Sequence, residues 1–101
     1  MQIVRITRGR VQPGTWGQFE AALHDAYEKV GRIPGLVSRS LIQNVDDPDQ
    51  GYAMSVWESA ADMKSYEKGD LAKAVNPYIQ KYFTGDYLSE YCEVRYWNAT
   101  P

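Results

Sequence analysis

The sequence predicts an α+β sandwich of element order β-α-β-β-α-β, with one antiparallel sheet and its helices on one face. Three observations predict it. Four stretches alternate β-branched and aromatic residues as half-buried strands do. Apolar residues recur at helical spacing after the first and third of them. Each change of pattern falls on a Gly, a Pro or a capping residue. At 101 residues the chain reads as a single domain over 1–101, long enough to bury about two-thirds of the surface its unfolded form exposes.

Gln2–Val11 is the first predicted strand, with Val4 and Ile6 set against Ile3, Arg5, Thr7 and Gly9. Pro13-Gly14 turns the chain, and Thr15-x-x-Gln18 has the spacing of a capping box. Trp16, Phe19, Leu23, Tyr27 and Val30 then form one helical stripe, filled in by Ala22 and Ala26, and Gly31 ends the helix. Pro34-Gly35 leads into a second strand, Leu36–Val45, with Val37, Leu41 and Val45 expected on one face and Leu36 and Ile42 on the other. Asp46–Gln50 is a polar hairpin loop.

The third strand, Tyr52–Trp57, sets Tyr52, Met54 and Val56 against Ala53, Ser55 and Trp57. Ser59-x-x-Asp62 is a second capping box and starts a helix that Gly69 closes. Asp70 can cap a further segment, Leu71–Phe83. Pro77 removes a backbone donor and disfavours a helical Asn76, so this second helical region is expected to split or kink near Pro77. Gly85-Asp86 is the last turn, and Tyr87–Trp97 the last strand. The pattern is that of a ferredoxin-like fold. On either register the outer sheet face carries apolar and aromatic residues, and a second copy of the sheet is the simplest cover, so a homodimer is expected.

Composition excludes several classes. A net charge of −2 gives no basic footprint for nucleic acid. No apolar run approaches the ~20 residues that span a bilayer, and no export signal is visible, so Asn98-Ala99-Thr100 is a chance glycosylation tripeptide. One cysteine, Cys92, cannot form an internal disulfide, which suits a cytoplasmic protein.

The isolated reactive residues read as ordinary ones. His24 lies between Glu20 and Glu28 as a surface histidine, and Cys92 is expected to be a small buried hydrophobe. Asp46, Asp47 and Asp49 miss the calcium-loop spacing, so no metal site is expected. Arg5 alternates away from Arg8 and Arg10, and the three do not form a phosphate cradle. The aromatic set is different. Tyr27, Trp57, Tyr66, Tyr78 and Tyr82 all fall on elements that could enclose a cleft between helices and sheet, as a flat aromatic ligand needs.

The run PGLVSRSLIQNVDDPDQGYAMSVWESAADMKSYEKGDLAKA resembles the antibiotic biosynthesis monooxygenase (ABM) domain of the dimeric α+β barrel superfamily. The shared features are Pro-Gly-apolar before the second strand, Trp-Glu-Ser at the end of the third, and an aromatic in the next helix. The resemblance implies a dimeric α/β barrel. It also implies a monooxygenase without metal or flavin, acting on a small planar molecule. Cofactor-free oxygenases of that family are similar at Trp57, which lines their substrate pocket, but they carry an Asn where this chain has Ala53. Haem-degrading members carry a Trp and an iron-ligating His where this chain has Tyr66 and Asn76, and an amide does not replace imidazole on haem iron. The reading that follows places Trp57, Tyr66 and Asn76 in catalytic roles, with Tyr27, Tyr78 and Tyr82 completing the substrate site and no cofactor. The alternative is a non-catalytic dimeric binding module on the same fold.

Overall fold

The two central strands set the frame. The computed structural model describes residues 1–85 and 87–99. Its elements are β1 (Ile3–Arg10), α1 (Trp16–Val30), β2 (Leu36–Gln43), β3 (Gln50–Trp57), α2 (Ala60–Lys68), α3 (Asp70–Gln80) and β4 (Leu88–Glu93). The sheet is antiparallel throughout, in the order β2-β3-β1-β4. β1 pairs with β3 from Ile3 opposite Trp57 to Arg10 opposite Gln50. Because side chains alternate along a strand, Ile3, Arg5, Thr7 and Gly9 share one face with Trp57, Ser55, Ala53 and Gly51.

That face meets the helices. Trp57 is buried with Ile33 and Met63, and Val11, Trp16, Phe19 and Leu23 make a second cluster at the other end of the sheet. Two glycines let the helical layer close down on the strands. A Cβ on Gly51 would collide with the Trp16 ring and the Ile42 carbonyl, and one on Gly9 with the Phe83 ring. Between the clusters the register leaves a polar strip of Arg5, Thr7, Arg39 and Ser55.

Arg39 reaches this strip through a backbone irregularity. Leu36 lies opposite Trp57 but Ser38 lies opposite Val56, so Val37 is an extra residue. Such a β-bulge inverts the alternation beyond it. Leu36, Arg39 and Leu41 consequently share the helix-facing side, whereas simple alternation had put Leu36 and Leu41 on opposite faces.

Four further expectations are corrected. Thr15 makes no side-chain cap to the helix; its hydroxyl donates instead to the Gln12 carbonyl at 2.6 Å. The second helical region is split at Gly69, and α3 runs through Asn76 and Pro77. Pro77 is exposed and close to the helix end, where the carbonyl freed by its missing N–H can be hydrated. The last strand stops at Glu93 because β1 begins at Ile3; beyond it the Val94 N–H still finds a carbonyl, that of Gln2 at 3.0 Å. Cys92 is exposed, because it lies opposite Val4 on the outer face of an edge strand.

Other expectations hold. Ser59 caps α2, its hydroxyl oxygen accepting the Asp62 N–H at 3.1 Å. Gly31 closes α1 with a φ of 69° and donates to the Tyr27 carbonyl. The Asp46–Gln50 loop is held by side chains at its edges: Asn44 Oδ1 accepts the Asp46 and Asp47 N–H groups, and Asp47 pairs with Arg10 of β1. The Gly85-Asp86 turn and the Asn98-Ala99-Thr100 tripeptide extend outside the described residues. Among those described, no helix is long and apolar enough to cross a membrane.

Candidate functional site

The polar strip becomes the floor of a cavity roofed by α1, α2 and α3. It has two adjoining lobes of about 110 Å³ each, which share Arg5, Tyr27, Ser55, Asn76 and Ile79. The first lobe extends to Trp57, Tyr66, Arg39 and Glu67, the second to Thr7, Ala53, Phe83 and Tyr87. Pockets for drug-sized ligands are typically 300–1,000 Å³, so this cavity suits one or two fused rings without opening.

The aromatic wall is set by β3 and α2. Trp57 ends the strand, and the turn capped by Ser59 brings Tyr66 back over it, with ring centroids 5.3 Å apart and planes tilted by 35°. Trp57 Nε1–H donates to Ser55 Oγ at 2.9 Å, leaving the Ser55 hydroxyl proton free for a ligand. On the other side Arg39 stacks on Tyr27, its Cζ 3.6 Å from the ring centroid. Burial pushes the Tyr27 and Tyr66 phenols up from the ordinary tyrosine range, against the opposing pull of Arg39 and Arg5. Both are therefore neutral hydrogen-bond donors at neutral pH and not bases.

Two donors in this region have no acceptor among the described residues. Arg5 Nε and Arg39 Nη1 are buried without a hydrogen-bond partner, and an unpaired buried donor costs about 1–3 kcal/mol, more when charged. Glu67 Oε2 accepts the Tyr91 hydroxyl at 2.9 Å and lies 3.9 Å from Arg5 Nε, an ion pair without a hydrogen bond.

Of the residues singled out from sequence, the fold brings Tyr27, Trp57, Tyr66 and Asn76 to this cavity. Tyr78 is exposed on α3, with Lys29 Nζ 6.0 Å from its ring centroid. Tyr82 packs edge-on against Phe19 at 5.8 Å in the neighbouring core cluster. His24 is exposed, its Nε2 3.5 Å from Glu28 Oε1. Arg5, Ser55, Thr7 and Tyr87 were not singled out as site residues. Arg5 carried a signal, since it occupies the strand face whose other members are Ile3, Thr7 and Gly9. Among the described residues no cluster of His, Cys, Asp and Glu could hold a metal ion.

A larger groove of about 480 Å³ runs along the outside, between α1 and the β2 edge, lined by residues such as Ala21, Leu23, His24 and Leu41. It shares only Tyr27 and Arg39 with the inner cavity, so the stacked pair is the partition between the two.

Fold and site together define a class: ferredoxin-like α+β proteins with an internal cavity between the helix layer and the sheet. The chain belongs to the antibiotic biosynthesis monooxygenase family, whose sequence profile matches residues 2–78. Solved structures agree in fold. SnoaB, a cofactor-independent oxygenase from Streptomyces nogalater, aligns with a TM-score of 0.81 at 16% identity, covering 94% of each chain. A Nitrosomonas europaea protein assigned to the same monooxygenases aligns at 0.81 and 16% identity, over 94% of this chain and 91% of that one. A Caulobacter crescentus counterpart aligns at 0.80 and 21% identity, over 92% and 89%. No curated protein matches the sequence significantly.

Proposed function

We propose that the chain, as one domain over residues 1–101, is a homodimeric monooxygenase of cytoplasmic location. It binds a small planar organic molecule in the inner cavity and oxidises it with molecular oxygen, using neither metal nor flavin. The observation that carries this reading is the Trp57–Tyr66 aromatic wall facing a polar floor, inside a cavity roofed by helices. The chemistry asks the protein to stabilise a substrate anion that gives an electron to oxygen. Hydrogen-bond donors fixed before the reaction do this best, because they need no reorganisation as charge develops. Asn76, the Ser55 hydroxyl and the neutral Tyr66 and Tyr27 phenols line the cavity and can donate to such an anion. Trp57 backs the wall from beneath, and with Tyr66 packed on it supplies the aromatic side against which the ring lies.

Dimerisation is supported by the sheet face turned away from the helices. Val4, Ile6, Met54, Val56 and Leu88 share it, and Leu88 is 61% exposed in the single chain. A second copy would bury that surface.

The test is oxygen uptake with one- and two-ring hydroquinones. Consumption that falls at least tenfold in Trp57→Phe or Asn76→Ala, with folding intact, supports the oxygenase. A second reading, a non-catalytic binding module, is favoured by Ala53, which gives the second lobe an apolar wall. Binding without oxygen uptake by any of these hydroquinones would select it.

A further inference from the structure

The charge of the cavity specifies its occupant more closely than its shape does. Arg5 and Arg39 both line the first lobe, each with a buried N–H that has no acceptor. Glu67 is the carboxylate that lines it, and its Oε2 already accepts the Tyr91 hydroxyl. Among the described residues, two guanidinium cations against one carboxylate leave a surplus of one positive charge. The Arg5 side chain is 32% exposed as a whole and has Glu67 at 3.9 Å, but its Nε–H and the Arg39 Nη1–H are themselves buried, and folded proteins leave few buried donors unpaired. The backbone sets the position of both donors. Arg39 is turned inward by the bulge at Val37 and held flat against Tyr27, and Arg5 sits on the central strand β1. A rigid guanidinium of this kind is suited to an oxyanion. The surrounding phenols, kept protonated by burial, do not compete for it.

Building on the reading of this cavity as the substrate site, we infer that its ligand is a planar monoanion of one or two rings. Its anionic oxygen function, a carboxylate or an ionised ring hydroxyl, accepts from Arg5 Nε and Arg39 Nη1 while its ring lies against the Trp57–Tyr66 wall. A phosphate monoester carries more negative charge than the surplus can balance. A neutral ring leaves both donors unpaired.

Isothermal titration with matched probes tests this. 2-Naphthoate is compared with neutral 2-naphthamide, and 4-nitrophenol is titrated below and above its own ionisation. The expected result is an anion bound at least tenfold more tightly than its neutral form. Preference for naphthoate alone assigns a carboxylate, and preference for nitrophenolate alone assigns a ring oxygen. Arg39→Gln and Arg5→Gln each reduce the preference to less than threefold. Glu67→Gln increases it severalfold, a gain that unfolding cannot imitate. If the neutral probes bind as well as the anions, the inference is overturned and the aryl cavity stands. If no probe binds the wild-type protein, the cavity is not a substrate site and both readings fall.

Discussion

Arg39 Cζ lies 3.6 Å from the centroid of the Tyr27 ring, and the two side chains separate the inner cavity from the open groove along β2. Neither residue's sequence neighbours require the contact. It exists because α1 lays Tyr27 across the sheet and the β2 bulge turns Arg39 up to meet it. An aromatic ring in this position orients the guanidinium without consuming any of its donors.

Replacing the ring tests that role. Tyr27→Phe keeps the stack and should leave stability within about 0.5 kcal/mol, whereas Tyr27→Leu should cost about 1–2 kcal/mol through the lost cation–π contact. Urea denaturation of the two variants measures the difference. Equal losses in both would mean that the phenol hydroxyl, and not the ring face, holds the partition.

Trp57 is 2% exposed and packs on Tyr66, Ile33 and Met63. Trp57→Ala should cost about 3–5 kcal/mol, the usual range for emptying a buried aromatic site. Trp57→Phe keeps a ring against Tyr66 and should cost clearly less. Chemical denaturation followed by circular dichroism ranks the two, and an alanine variant as stable as the phenylalanine variant would contradict the packing described.

Gly51 offers a sharper test of the close approach between α1 and the sheet. Its missing Cβ is replaced by the Trp16 ring and the Ile42 carbonyl. Gly51→Ala should destabilise by about 1–3 kcal/mol or more, because the backbone carbonyl cannot move aside as a flexible side chain would. Gly17→Ala, where a Cβ meets nothing within 4 Å, is the matched control and should be neutral or stabilising. Melting temperatures of the pair decide it.

The buried phenols give a pH signature. Their folded pKa values lie above those of the unfolded chain, so above pH ~10 the unfolded state sheds protons that the folded state keeps. Stability from these groups is therefore complete below pH 10 and is lost as pH rises through the folded pKa values. Tyr27→Phe and Tyr66→Phe should each flatten the decline above pH ~10. The opposite limb belongs to Asp47, whose carboxyl the Arg10 guanidinium holds below its ordinary value by a hydrogen bond. That contribution is present above the unfolded carboxylate pKa and disappears in acid as pH falls through the lower folded value. Denaturation curves across pH separate the two limbs.

The outer sheet face predicts assembly. Ile6→Lys or Met54→Lys places a charge at the centre of the apolar strip opposite the helices. Either should convert a dimer to monomer in native mass spectrometry while circular dichroism stays unchanged. A wild-type monomer at micromolar concentration would remove the proposed interface.

Much of the fold was legible because it rests on local rules. The alternation of β3, the helical stripe of α1, the glycine that ends it and the Ser59 cap all act over a few residues. They followed from side-chain periodicity and backbone hydrogen-bond accounting alone. Trp57 and Tyr66 were legible for the same reason, one at a strand end and the other on the helix that returns over it. Where a rule depended on a distant partner it failed. Thr15 matched a capping pattern, yet its hydroxyl found the Gln12 carbonyl. The last strand matched a strand pattern beyond Glu93, yet β1 offers it no partner there. What only the tertiary structure decided is the chemistry of the cavity floor. Arg5 and Arg39 are 34 residues apart in a chain of 101, and they share a cavity only because β3 lies between β1 and β2 with one extra residue at Val37. A bulge shifts every later side chain to the other face, and nothing in the residue types around Val37 required one.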